Sequence, residues 1–231
     1  MDRTEWKEWL NEQREKVIEE YGKTPERLIQ DYRQEVELNK QYNGRQLLEL
    51  LQNADDECYG AEQKHVLIKL AGNQLVIANN GTVFTKDGIK SLRFARISGK
   101  KHRLDVIGYK GLGFRSILNW AKKISIVSGN LSVQYSEAIS KEFLINLLAK
   151  EPNIKKVIGE NQVATLSVPR WIDEPIIKDM AYDTYIILDL NEDVLDDIKQ
   201  QISELKPETL IFLNNLSKIT IDTPERKEEI I

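Results

Sequence analysis

Three polar residues interrupt the apolar pattern of "LLELLQNADDECYG", residues 47–60: Glu49, Asn53 and Asp56. On a helix turning about 100° per residue they fall within about 60° of one another. Leu47, Leu50, Leu51, Ala54 and Cys58 gather on the opposite side, enough for a core face. A carboxylate that can take a proton from water, beside an amide oxygen that can bind magnesium, is a hydrolytic arrangement. A solvated face has the same spacing. Two details favour chemistry: solvated faces usually mix Glu with Lys, and Asn is a poor residue for a helix interior. Asp56, not Asp55, shares the face with Glu49, so Asp55→Ala is expected to be tolerated better than Asp56→Ala. Cys58 reads as an inert buried thiol.

A second stretch, "IGYKGLGFRSIL" (107–118), spaces Gly108, Gly111 and Gly113 ahead of a helix. Glycines let a backbone approach a phosphate, and a helix start adds unpaired N–H groups and a positive dipole end. Lys110 and Arg115 could add charge to such a cradle. A flexible turn opening a helix satisfies the same pattern. A dinucleotide-binding reading fits poorly because a basic stretch, not a strand, precedes the glycines. No Gly-Lys-Ser/Thr follows them, which excludes a Walker loop. In "VIANNGTVF" (76–84), Asn79-Asn80-Gly81 ends an apolar run, and alone it is no more than a turn.

The elements that must hold these residues alternate between strand and helix. Residues 64–70 and 73–79 form a predicted hairpin, and 122–129 with 131–136 a second. Residues 163–169, 184–190 and 217–222 are further predicted strands. Helices are expected over 45–59, 85–95, 111–121, 140–150, 193–205 and 207–216, with 96–105 a basic loop and 151–162 a connector. In "YGKTPE" (21–26), Gly22 ends one helix, Thr24 can cap the next and Pro25 suits a first helical position. The pattern predicts an α+β fold: a two-layer α/β sandwich with a mixed, mostly antiparallel sheet and helices on one face. The expected divisions are an N-terminal helical segment at 1–42, a main domain at 43–222, and the start of an unstructured linker to further C-terminal parts at 223–231.

Composition narrows the function classes. The chain has 231 residues, is 41% hydrophobic and carries a formal charge of -4. That mildly acidic, interspersed balance gives no footprint for nucleic acid, which is expected only through attached parts. No apolar run approaches the roughly 18 residues of a membrane span, and the N-terminus lacks a signal-peptide pattern. One cysteine and two histidines exclude a disulfide framework and a cysteine-based zinc cluster. A cytoplasmic chain without a structural metal is expected.

Taken together and in order, the three motifs resemble the GHKL ATPases, whose nucleotide site is the Bergerat fold. Glu49, Asn53 and Asp56 match the first motif, E-x-x-x-N-x-x-D. Asn79-Asn80-Gly81 stands where the superfamily usually has Asp-x-Gly, and Gly108 to Phe114 match its glycine-rich motif. Asp183-Thr184 stands where a Gly-Thr pair touches the adenine region. "LLELLQNADDECY", "IGYKGLGFRS" and "NNGTVFTKDGI" are most similar to the sacsin and plant NO VEIN branch.

The resemblance implies ATP and Mg as cofactors and a slow ATPase. Glu49 would be the base that activates water, Asn53 the magnesium ligand, and Asp56 a supporting residue. Asn79, with Gly81 in its turn and Thr184 beside it, would read adenine. Gly108, Lys110, Gly111, Leu112, Gly113 and Phe114 would hold the triphosphate. Residues 96–103 would form a lid, with Ser98 or Lys100 reaching the phosphates when it closes. It also implies a homodimer on ATP binding, additional domains beyond residue 231 and, by analogy with bacterial relatives, an antiviral defence or chaperone-like setting. Residues 1–42 are then either an element exchanged across a dimer or a layer packed on its own domain. A module that senses nucleotide without cleaving it, regulating an attached effector, is the alternative; the presence of Glu49 argues against it.

Overall fold

The computed structural model describes residues 1–41, 44–93, 113–178 and 180–231. The chain opens with helices α1 (Arg3–Lys23) and α2 (Pro25–Gln41). A reciprocal capping box starts α1: Glu5 N–H donates to the Asp2 carboxylate, and Asp2 N–H to the Glu5 carboxylate, each at 2.9 Å. Trp6, Trp9 and Leu10 enter the same apolar core as the sheet residues. Through them α1 packs against the sheet-bearing core of the same chain. A buried polar seam completes that packing. Arg93 bonds Glu20 at 2.5 Å, Tyr21 donates to Asp31 at 3.0 Å, and Thr165 and Leu166 N–H donate to the Glu35 carboxylate.

Helix α3 (Gln46–Glu57) precedes the hairpin β1 (His65–Ala71) and β2 (Gln74–Asn79), and α4 (Lys86–Arg93) follows. A 3-10 turn at Gly113–Asn119 leads into β3 (Ala121–Ser128) and β4 (Leu131–Ser136). Then come α5 (Glu137–Lys150), α6 (Lys155–Ile158), β5 (Arg170–Trp171), β6 (Thr184–Leu190), α7 (Leu195–Ser203), β7 (Lys218–Asp222) and β8 (Lys227–Ile230). The eight strands form one sheet in the order β5-β4-β3-β6-β2-β1-β7-β8. All neighbours are antiparallel except β1 and β7. The fold is the expected α+β sandwich.

Side-chain alternation assigns the two faces. Leu75 and Ile77 of β2, Ile124 and Ile126 of β3, and Ile186 and Leu188 of β6 enter the core shared with the helices. Ala78, Val127, Tyr185 and Ile187 form a small cluster on the other face. The same parity turns Asn79, Ser128 and Thr184 toward the helices.

Four local expectations fail, three of them for traceable reasons. Residues 163–169 are not a strand but hold a 3-10 turn at Thr165–Ser167, because Glu35 takes the N–H groups a neighbouring strand would need. The helix over 207–216 stops as a 3-10 turn at Pro207–Phe212, since Asp55 draws the N–H groups of Asn214, Asn215 and Leu216. The tail at 223–231 is not an unstructured linker: β8 pairs with β7 and buries Ile230. There the Arg226 guanidinium donates to Ile202 and Leu205 carbonyls, a tie that strand pattern cannot reveal. The described part of the glycine-led helix is 3-10 rather than α, closed by Trp120 N–H on the Ile117 carbonyl.

Candidate functional site

Helix α3 forms because one side of it is apolar: Leu47, Leu50, Leu51 and Ala54 are all buried in the main core. Its start is held by α7, where Leu47 N–H donates to Gln201 Oε1 and Gln201 Nε2 donates to Gln46 Oε1. Near its end the Asp55 carboxylate, fully buried, accepts from Asn214, Asn215 and Leu216 N–H at 3.0, 2.7 and 2.7 Å. Asn215 Nδ2 adds a fourth bond at 3.3 Å. Asp55 is thus an anchor for the chain entering β7, and the expectation that Asp55→Ala is well tolerated is corrected. The wheel gives direction around the helix but not what waits there.

The turn after β2 is stitched to the end of α3. Thr82 N–H donates to the Glu57 carbonyl at 2.9 Å, and Cys58 Sγ donates to the Asn80 carbonyl at 3.0 Å. Burial pushes the Cys58 thiol up to about 12, so it stays a protonated, inert donor. Gly81 has φ +122°, and a Cβ there would lie 2.0 Å from the Glu57 carbonyl oxygen. Only glycine fits this approach. Asp183 explains its own departure from the usual glycine: its Oδ2 accepts from Gly81 N–H at 2.9 Å.

Above this turn, four predicted residues converge. Asn53 of α3, Asn79 of β2, Thr184 of β6 and Phe114 of the 3-10 turn line one cavity, with Ala54, Phe84, Leu92 and Ile186 supplying apolar walls. Glu57 joins them from α3. Its spacing from Asn53, four residues on, puts both on one helix face, a signal available in sequence. The cavity measures about 30 Å³. Ligand sites usually measure roughly 300–1,000 Å³, so a purine would have to part these walls. An open cleft of about 500 Å³, lined by residues 59–63 and 80–82 with Asp183, adjoins the same turn.

Glu49 stands four residues before Asn53 on α3, half-buried and outside the cavity lining. Burial raises its carboxyl above the usual carboxylate range, with the Arg45 guanidinium pulling it back. Asp56 is buried on α3 and does not line the cavity. Arg115 is corrected. Its guanidinium is buried and donates to the Leu92 and Arg93 carbonyls at 2.8 and 2.7 Å, bracing the end of α4 rather than a phosphate. Ser98, Lys100, Gly108, Lys110, Gly111 and Leu112 lie outside the described residues, as does the proposed lid. Among the described residues, no group of three or more His, Cys, Asp or Glu is placed to hold a metal. No described helix is long and apolar enough to cross a membrane.

Sequence comparison yields one informative relative. No protein-family model matches the chain. It is 28% identical over 179 residues, 75% of its length, to Protein NO VEIN of Arabidopsis thaliana. The chain spans only 6% of that protein. The similarity agrees with the NO VEIN likeness carried by the motifs.

Proposed function

We propose that this chain is a GHKL-type nucleotide module that binds ATP with Mg and hydrolyses it slowly. The observation that carries the reading is the convergence of Asn53, Asn79, Thr184 and Phe114 on one cavity from four separate elements. Asn53 offers one hard oxygen to a magnesium ion carried in on phosphates, and such an ion takes few protein ligands, keeping several waters and the substrate phosphates. The ion would neutralise phosphate charge. Phe84, Leu92 and Phe114 must separate to admit a purine, so binding is coupled to a change of shape, which is what a nucleotide switch requires.

In this reading Glu49 takes a proton from the attacking water as the water oxygen bonds the terminal phosphorus and the bond to ADP breaks. A carboxylate raised by burial is a better base near neutral pH than an ordinary one. One observation favours the alternative, a sensor that does not cleave: Glu49 does not line the closed cavity. Calorimetry with a non-hydrolysable ATP analogue and Mg tests the site, and absence of binding sinks both versions. Phosphate release by wild type and Glu49→Ala separates them, because equal background rates leave only the sensor.

A further inference from the structure

Ser128 carries no motif, and its role emerges only from strand register. Thr184 pairs with Asn79 on one side and with Ser128 on the other. All three are buried and face the helices, forming one polar row across β2, β6 and β3. Directly opposed partners in such a row have Cβ atoms about 4.5–5.5 Å apart.

The hydrogen bonds in this row have a direction. Asn79 Nδ2 donates to the Asn80 carbonyl at 2.9 Å, so the amide has its Oδ1, an acceptor, to offer the cavity. Ser128 Oγ accepts from Phe84 N–H at 2.9 Å and lies 2.6 Å from Thr184 Oγ1. One proton fills that short contact, and the other hydroxyl proton is left over. If Thr184 donated, the remaining proton would sit on Ser128, which does not line the cavity and has no second acceptor among the described residues. If Ser128 donates, the remaining proton belongs to Thr184, which does line it. Either arrangement leaves one hydroxyl proton without an acceptor in the chain, but only Thr184 can present it to a ligand, so binding selects the second arrangement.

We propose that Ser128 is a positioning residue that holds Thr184 as a hydrogen-bond donor toward the cavity, next to the Asn79 acceptor. The proposal rests on the nucleotide reading and deepens it. An acceptor beside a donor matches a purine edge with an amino group beside an unprotonated ring nitrogen. It opposes an oxo-purine, whose edge has the reverse polarity. Ser128 also holds Phe84, an apolar wall of the same cavity, through its backbone N–H.

The test is calorimetry with Mg on wild type, Ser128→Ala and Ser128→Thr. The ligands are ATP, inosine triphosphate, and the two ATP analogues in which the ring nitrogen on either side of the amino group is replaced by carbon. Wild type should prefer ATP to inosine triphosphate, and one carbon analogue should bind about tenfold more weakly than ATP. Ser128→Ala should erase most of both differences, and Ser128→Thr, which keeps the hydroxyl, should retain them. A wild type that binds ATP and both carbon analogues equally overturns the proposal, whatever the variants do. So does a folded Ser128→Ala whose preferences match wild type. A wild type that binds no nucleotide at all removes the nucleotide reading itself, and this proposal with it.

Discussion

Two polar clusters leave α3 on different flanks, and they differ in where their hydrogen bonds end. On one flank the Asp55 carboxylate is consumed by three backbone N–H groups and one amide of residues 214–216. On the other, Asn53 and Glu57 face Asn79 and Thr184 across a cavity. Both clusters are polar side chains on one helix. The anchor is closed within the chain, whereas the cavity wall still has an acceptor and a donor to offer. Polar groups that keep spare hydrogen-bonding capacity beside a cavity can complete it with a ligand. Closure of the hydrogen bonds, together with complete burial, therefore separates the structural acid from the candidate site.

The strongest test of that contrast is Asp55→Ala. It leaves three N–H groups without their acceptor and should cost about 4 kcal/mol of stability in chemical denaturation. A loss under about 1 kcal/mol would erase the distinction between anchor and wall. On the other flank, Glu49→Ala should leave the fold intact and ATP affinity nearly unchanged while phosphate release falls at least about 100-fold. A matching loss of stability would move Glu49 into the anchored class. Wild-type turnover should rise with pH through a midpoint above the usual carboxylate range, because the base works only when ionised and burial raises it. A midpoint at ordinary carboxylate values would remove the link to burial. The smallest effect is expected for Asn79→Ala, with ATP binding weakened about tenfold and little change in melting temperature. Unchanged affinity would place Asn79 with the structural residues of its turn.

Much of this is legible in the residue order alone. The spacing of Leu47, Leu50, Leu51 and Ala54 sets the core face of α3, and alternation sets both hairpins, because period and burial are local properties. Asn53, Asn79, Thr184 and Phe114 could each be singled out from motif position. Glu57 was within reach through its spacing from Asn53. The sequence misled where a distant side chain took over a backbone. Glu35 turned the 163–169 strand into a 3-10 turn, and Asp55 ended the helix over 207–216.

The element pattern, the α+β class and the polar face of α3 can all be read from residue order. The roles of the individual side chains come from long-range packing. It made Arg115 a brace for α4, Asp183 a tether for Gly81 and Asp55 an anchor. It also set Ser128 beside Thr184, 56 residues away in the chain. Periodicity is written residue by residue, but a hydrogen bond's direction depends on which partner the fold brings within reach, and that partner is usually far away in sequence.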